Sequence, residues 1–185
     1  MSFNDELVSL LLPKYKGRLS ITGSDTGKRF ELYIEPGDVR SVLKAVYDAG
    51  YNYFIGITVI DYPMENVFEL VYLLSSIERN GELLAVRTKI KRDEPFIDSV
   101  ADIYPLAYYQ EIEGYEFFGI IFRGHNGLRK WILLDNWEGP PPLRKDIDTR
   151  QIVLEIFYGG KRYERPRQWR SLGGYSGFEG GGENE

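Results

Sequence analysis

Cysteine is absent from the 185-residue chain, and histidine occurs once, as His125. Without thiols, the chain can form no disulfide, no thiolate nucleophile, no Cys-ligated zinc site and no iron–sulfur cluster of its own. Any catalytic triad would depend on the single imidazole, and no Ser and Asp pattern accompanies it. We therefore predict that His125 hydrogen-bonds within a loop, and that the chain carries no catalytic, metal or cofactor-binding residues.

Long apolar runs are also missing, since no stretch approaches the ~18–20 apolar residues that cross a bilayer. The N-terminal sequence is acidic where a signal peptide would be basic. A net charge of −5 and a pI near 5.1 argue against a general nucleic-acid binder. The glycines match neither a P-loop nor a dinucleotide fingerprint. We expect a cytoplasmic protein that contacts a membrane only through a partner.

The composition that is present suits one domain with a tail, because 43% of the residues are hydrophobic and 15% aromatic. Asn4 or Asp5 can cap a first helix, and Pro36 opens a second helix with an apolar stripe. Strands are predicted over residues 18–21, 29–34, 53–61, 67–76 and 83–90. Both faces of the 67–76 run are apolar, which indicates a strand that is central or covered on each face. These elements predict an α+β fold, a small mixed sheet flanked by helices.

The pattern changes beyond residue 100. One or two helical turns are predicted over residues 97–103, a helix from Pro105 to about Phe118, and a short strand or helix over residues 152–158. We predict a globular domain over residues 1–103, a helix and connecting segment over 104–122, an extended strap over 123–172 and a flexible Gly-rich tail over 173–185.

Two charged clusters allow more than one interpretation. Glu111, Glu113 and Glu116 could suggest a metal site, but Glu-x-x-His is missing, so a solvated or interface-facing acidic surface is favoured. Residues 161–170, KRYERPRQWR, hold five basic residues among aromatics. Such a segment can bind single-stranded nucleic acid, an anionic membrane or an acidic partner protein. We favour the protein partner, with Trp169 as an anchor.

A spaced pattern runs through residues 105–146, which we call the signature segment. It resembles the signature of the complex I 30 kDa subunit family, whose members are also known as the C subunit of NADH-quinone oxidoreductase. The matching residues are Glu111, Glu113, Tyr115, Gly119, Ile120, Phe122, Gly124, His125, Leu128, Trp137, Gly139, Pro142, Leu143, Arg144, Lys145 and Asp146. The chain departs from the family pattern at Ile112, Glu116, Asn126 and Trp131, which points to a divergent member.

The resemblance implies a non-catalytic structural and assembly subunit in the hydrophilic arm of a membrane-associated complex I-like oxidoreductase. The complex would couple electron transfer to ion translocation, as an NADH-quinone oxidoreductase, membrane-bound hydrogenase or sulfur reductase. Implied partners are a large subunit, of 49 kDa-like or hydrogenase large type, and a small subunit that bears iron–sulfur clusters. The implied location is peripheral, at the cytoplasmic face of the membrane. A thermophilic archaeal version would suit the composition.

The same resemblance places a partner interface on the signature segment and on Trp169. The expected interface residues are Glu111, Glu113, Tyr115, Gly119, His125, Trp137, Gly139, Pro142, Leu143, Arg144, Lys145, Asp146 and Trp169. If Trp137 and Arg144 anchor the strap on a partner, alanine at either position should weaken assembly while the free domain melts nearly unchanged. The alternative is a free-standing module that binds nucleic acid or anionic lipid through residues 161–170.

Overall fold

The computed structural model describes residues 19–23, 29–133, 137 and 139–158. These residues fall into two compact units, one within Met1–Ile147 and the other within Asp148–Glu185. The predicted first helix, the 161–170 segment with Trp169, and the Gly-rich tail lie outside the described residues.

The first unit is built on a five-stranded mixed sheet. Its strands are β1 (Leu19–Gly23), β2 (Arg29–Ile34), β3 (Tyr53–Tyr62), β4 (Val67–Ser76) and β5 (Glu82–Lys91). The strand order is β1-β2-β5-β4-β3, in which only β2 and β5 run parallel. The β3–β4 and β4–β5 pairs are antiparallel hairpins, joined by turns in which Asn66, Asn80 and Gly81 take positive φ. The predicted α+β fold with a small mixed sheet is confirmed.

The core lies on one face of this sheet. A 3₁₀ turn at Pro36–Asp38 leads into helix α1 (Val39–Asp48). Four residues of its predicted apolar stripe, Val39, Val42, Leu43 and Val46, are fully buried, whereas the fifth, Tyr47, is 38% exposed. The inward residues of the sheet and of α1 are Phe30, Leu32, Ile34, Val39, Val42, Leu43, Val46, Phe54, Phe68, Leu70, Tyr72, Leu74, Leu84, Val86 and Ile90. Strand β4 lies inside the sheet, between β5 and β3, and its outward Glu69 and Val71 are also buried. The prediction that this strand is central or covered on each face is therefore confirmed by its burial on both faces.

Residues 96–123 add a second, smaller layer. Strands β6 (Phe96–Asp98) and β7 (Ile121–Arg123) pair in parallel, and helix α2 (Ala107–Phe118) connects them. The helical turns predicted over 97–103 are wrong, because Ile97 lies in β6 and pairs with Phe122. Turns without a helix follow, and α2 starts at Ala107, two residues after the predicted start at Pro105, and ends at Phe118 as predicted.

Helix α2 is part of the same core and packs beside the edge strand β3. Ala107, Ile120 and Phe122 join the buried cluster, and Gly114 lets the ring of Phe122 approach the helix backbone. The side chain of Gln110 accepts a 2.5 Å hydrogen bond from the backbone N–H of Ile57, on the outer edge of β3. The second unit contains helix α3 (Thr149–Tyr158), which decides the open prediction for residues 152–158 in favour of a helix.

Candidate docking surface

Glu111 lies inside the protein rather than on an acidic surface. Its side chain is fully buried, and its carboxylate accepts hydrogen bonds from the Ser99 hydroxyl (2.5 Å) and the Val100 backbone N–H (2.8 Å). Burial raises the pKa of Glu111 to about 7, against the lowering effect of these two hydrogen bonds. The prediction of a solvated or interface-facing side chain is wrong for Glu111. Its buried carboxyl group instead binds Ser99 and Val100, in the segment that precedes α2.

Glu116 is the second buried carboxylate of α2, with 4% of its surface exposed. It accepts hydrogen bonds from the backbone N–H groups of Trp131 (2.5 Å), Ile132 (2.8 Å) and Leu133 (3.3 Å). The acidic-surface prediction is also wrong for this residue, because its carboxyl group is buried and its hydrogen bonds fix the 131–133 loop against α2. Only Glu113 of the three stays exposed, and Tyr115 is half-buried.

An aromatic row runs along the start of α2 and out to this loop. The rings of His125 and Tyr108 stack, with their centroids 4.4 Å apart. The centroid of the Tyr109 ring lies 5.2 Å from that of Tyr108 and 5.0 Å from that of Trp131. Tyr109 and Trp131 are 52% and 55% exposed, and Ile132 beside them is 46% exposed. Tyr109 and Trp131, at the outer end of the row, therefore present aromatic surface to solvent.

His125 hydrogen-bonds within its loop, as predicted. The backbone N–H of Gly127 donates to Nδ1 at 3.0 Å, so Nε2 carries the proton and donates to the carbonyl oxygen of Tyr108 at 3.0 Å. Gly127 is required there, because a Cβ would collide with the Tyr108 hydroxyl. Gly119 ends α2 with φ +78°, a left-handed conformation that favours glycine.

The second half of the signature segment begins with Trp137, which is only 8% exposed. The Trp137 indole N–H donates to the carbonyl oxygen of Pro140 at 3.2 Å. The backbone carbonyl oxygen of Trp137 accepts a hydrogen bond from the Lys130 ammonium. Gly139 and Pro142 are half-buried, while the Leu143 side chain is 55% exposed. The backbone N–H of Leu143 donates to the Phe117 carbonyl at the end of α2 (3.0 Å).

Asp146 reaches a buried ion-pair network in the same unit. Its carboxylate lies 2.5 Å from the Arg92 guanidinium, whose Nε makes an ion-pair contact with Asp61 at 2.8 Å. Partial burial acts to raise the pKa of Asp146, but hydrogen bonds from Arg144 and Arg92 hold it below its usual value.

Lys145 and Arg144, also in the signature segment, contact residues of this ion-pair network and the neighbouring Phe68. The backbone N–H of Lys145 donates to the Asp61 carboxylate at 2.7 Å. The guanidinium groups of Arg144 and Arg92 each lie 5.4 Å from the centroid of the Phe68 ring. These contacts fasten residues 143–146 to the sheet domain of the same chain.

Sequence reasoning missed Asp61, Arg92 and Ser99, the internal partners of the signature segment. One signal was available for Asp61, because a carboxylate in a core-facing position of an apolar strand requires a cationic or hydrogen-bonding partner. Ser99 and Arg92 carried no such signal. Their positions depend on contacts between residues that are distant in sequence.

A shallow groove of about 630 Å³ lies between α1 and residues 98–103. Its Arg40 already binds Asp102 through two hydrogen bonds, 2.5 and 2.6 Å long. The part of the chain that the structure describes holds no group of three or more His, Asp or Glu side chains placed to bind a metal. Within the same residues, no helix is long and apolar enough to span a membrane.

The family model described as "Respiratory-chain NADH dehydrogenase, 30 Kd subunit" matches residues 32–153. The C subunit of NADH-quinone oxidoreductase from Chlorobium phaeobacteroides is 37% identical over 60% of this chain and 64% of its own length, which is less than two thirds. The Mycolicibacterium smegmatis protein of the same name is 36% identical over 72% of this chain and 55% of its own. The C subunit of F(420)H(2) dehydrogenase from Methanosarcina mazei is 28% identical, over 77% of this chain and 90% of its own.

Two solved structures extend the likeness to the fold. A chain of the membrane-bound sulfane sulfur reductase, an archaeal respiratory membrane complex, superposes with a TM-score of 0.74 at 29% identity, covering 89% of this chain and 96% of that one. A trypsin-resistant fragment of Nqo5 superposes with a TM-score of 0.56 at 25% identity, covering 69% and 100%. The resemblance predicted from the signature segment is thus confirmed, and the chain belongs to the family of the 30 kDa subunit of respiratory-chain NADH dehydrogenase.

Proposed function

We propose that the chain is a non-catalytic structural and assembly subunit of the hydrophilic arm of a membrane-associated complex I-like oxidoreductase. The complex couples electron transfer to ion translocation. Its large subunit and its small, cluster-bearing subunit are the partners of this chain, and iron–sulfur clusters reside in those subunits. The chain sits peripherally, at the cytoplasmic face of the membrane.

The observation that carries this proposal is the likeness to one chain of a respiratory membrane complex over 89% of the present chain. The structure adds support, because the exposed Trp131 lies in a loop whose backbone is held by part-buried hydrogen bonds to Glu116. Trp and Tyr surfaces with fixed geometry are typical of protein interfaces. Among the interface residues predicted from sequence, Glu113, Leu143 and Lys145 keep exposed side chains that can meet a partner.

Affinity purification from the native membranes tests the proposal. A tagged chain should migrate in native gels as part of a large assembly whose other polypeptides contain iron–sulfur clusters, detected by metal analysis and absorption. Migration as a free monomer without such polypeptides would overturn it. Salt-sensitive binding of the monomer to nucleic acid or anionic vesicles, lost when residues 161–170 are deleted, would instead favour the free-standing module.

A further inference from the structure

The loop over residues 123–133, RGHNGLRKWIL, carries a net positive charge. It contains Arg123, Arg129 and Lys130 and no Asp or Glu, whereas the whole chain has a net charge of −5. Such a local reversal of charge favours association with a surface of the opposite sign.

Two of the three cations are not neutralised by a carboxylate of the described residues. Arg123 pairs with Asp98 at 2.9 Å, but the Lys130 ammonium binds the carbonyl oxygen of Trp137. Arg129 is exposed and makes no ion pair with any residue in the described ranges. The two charges that no described carboxylate neutralises therefore lie directly before Trp131 in the chain.

The structure fixes the loop that displays Trp131. Three backbone N–H groups of residues 131–133 donate to the buried Glu116 carboxylate, and the Trp131 ring stacks on Tyr109. Fixing a loop before binding lowers the entropy lost on association.

We propose that Arg129, Lys130 and Trp131 form a docking element for an acidic surface of a neighbouring protein subunit, and that Glu116 is its positioning residue. This inference rests on the proposed function, because it assigns a chemistry to one contact of the assembly. Arg and Trp are the side chains that most often dominate interface energies, and the positive charges of Arg129 and Lys130, which no described carboxylate neutralises, favour a partner surface rich in Asp and Glu.

The test compares Arg129→Glu with Lys91→Glu in tagged full-length chains purified from native membranes. Lys91 is also exposed and is the last residue of β5. Both variants replace a cation by Glu, so they change the net charge equally. Arg129→Glu should reduce the retained partner polypeptides by about tenfold or more and lower the salt concentration at which they dissociate. Lys91→Glu should retain them as the unchanged chain does.

The positioning role is tested with Glu116→Gln and Glu116→Ala. Gln keeps an accepting oxygen and Ala does not, so partner retention should fall slightly in the first and strongly in the second. Hydrogen exchange of the 131–133 amides in the free protein should accelerate in the same order, while the amides of β4 stay protected. Equal retention in both variants, or accelerated exchange throughout the protein, would remove the positioning role.

The outcomes separate the two proposals. If the assembly forms and the Arg129→Glu and Lys91→Glu chains retain equal amounts of the partner polypeptides, the docking element is overturned and the proposed function is left intact. A wild-type chain that purifies alone overturns both. Retention of nuclease-sensitive nucleic acid that Arg129→Glu abolishes, with partner polypeptides unaffected, would reassign the loop to nucleic acid.

Discussion

At the scale of single residues, the two buried carboxylates of α2 are satisfied to different degrees. Glu116 accepts three backbone N–H groups, whereas Glu111 accepts one backbone N–H and one hydroxyl. A buried carboxylate keeps its charge only when donors replace the water that it loses. The incomplete replacement at Glu111 accounts for its pKa near 7.

This pKa makes the stability of the domain depend on pH in a defined direction. The pKa of Glu111 rises from 4.5 in the unfolded chain to about 7 in the folded one. The folded state therefore binds the proton more tightly. The stability that this group contributes is greatest below pH 4.5, and it falls as the pH rises from there to about 7. The total loss from this group is about 3 kcal/mol at most.

Glu111→Gln should remove that dependence, because Gln does not titrate and its amide oxygen can still accept from the Val100 N–H. Near pH 5 the variant and the wild type should have similar free energies of unfolding. At pH 8 the variant should be more stable by up to about 3 kcal/mol. Urea unfolding of both proteins between pH 5 and 8 measures the difference, and a difference that does not vary with pH would contradict the assignment.

The Asp61–Arg92–Asp146 network predicts unequal costs for its two carboxylates. Asp61→Ala should lower the free energy of unfolding by about 3 kcal/mol or more, because it leaves a buried guanidinium without its main counter-charge. Asp146→Ala should cost only about 1 kcal/mol, since the Asp146 side chain is 42% exposed and screened by water. Chemical denaturation of the two variants checks the order, and equal costs would show that Arg92 depends on both partners alike.

At the scale of elements, predictability followed the regularity of the side-chain pattern. Helix α1 has its buried residues on one apolar stripe, so the sequence indicated both the helix and its inward face. Helix α2 buries Glu111, Gly114 and Glu116 beside Ala107 and Ile112. Polar residues on the buried side made that face resemble a surface.

The short strands β6 and β7 were beyond the reach of pattern analysis. Each has three residues, too few to establish an alternation of buried and exposed side chains. Their pairing depends on α2, which brings Phe122 beside Ile97. Such a contact is decided by tertiary structure, and the sequence alone indicated a helical turn instead.

The tryptophans of the signature segment offer a matched pair of substitutions. Trp137→Ala should lower the free energy of unfolding of the free protein by about 2–4 kcal/mol, because its ring is nearly fully buried within this chain. This reverses the expectation from sequence that the free domain would melt unchanged. Trp131→Ala, at a site 55% exposed, should cost less than about 1 kcal/mol. Similar melting temperatures for the two variants would mean that the Trp137 site is not part of the folded core.

At the scale of the whole molecule, the sequence indicated the sheet, its central strand and its α+β class. It did not indicate how much of the signature segment packs within the chain itself. Glycines and prolines suggested a strap that needs a partner, yet residues 143–146 contact Asp61, Arg92 and Phe117. The same segment can stabilise its own domain and present Leu143 and Lys145 to a partner. The domain boundaries at residues 103 and 122 therefore remain predictions.

Two truncated chains test whether residues 140–147 are part of the folded domain. One ends after Ile147, the last residue of the first unit, and the other ends after Gly139. The shorter chain loses the Asp146–Arg92 ion pair, the Lys145–Asp61 hydrogen bond and the Arg144 contact with Phe68. Since Arg92 and Asp61 are buried, we expect its melting temperature to be lower by on the order of 10 °C. Equal melting of the two chains, measured by circular dichroism, would instead support a domain that is complete without residues 140–147, and would return that segment to a role in partner binding alone.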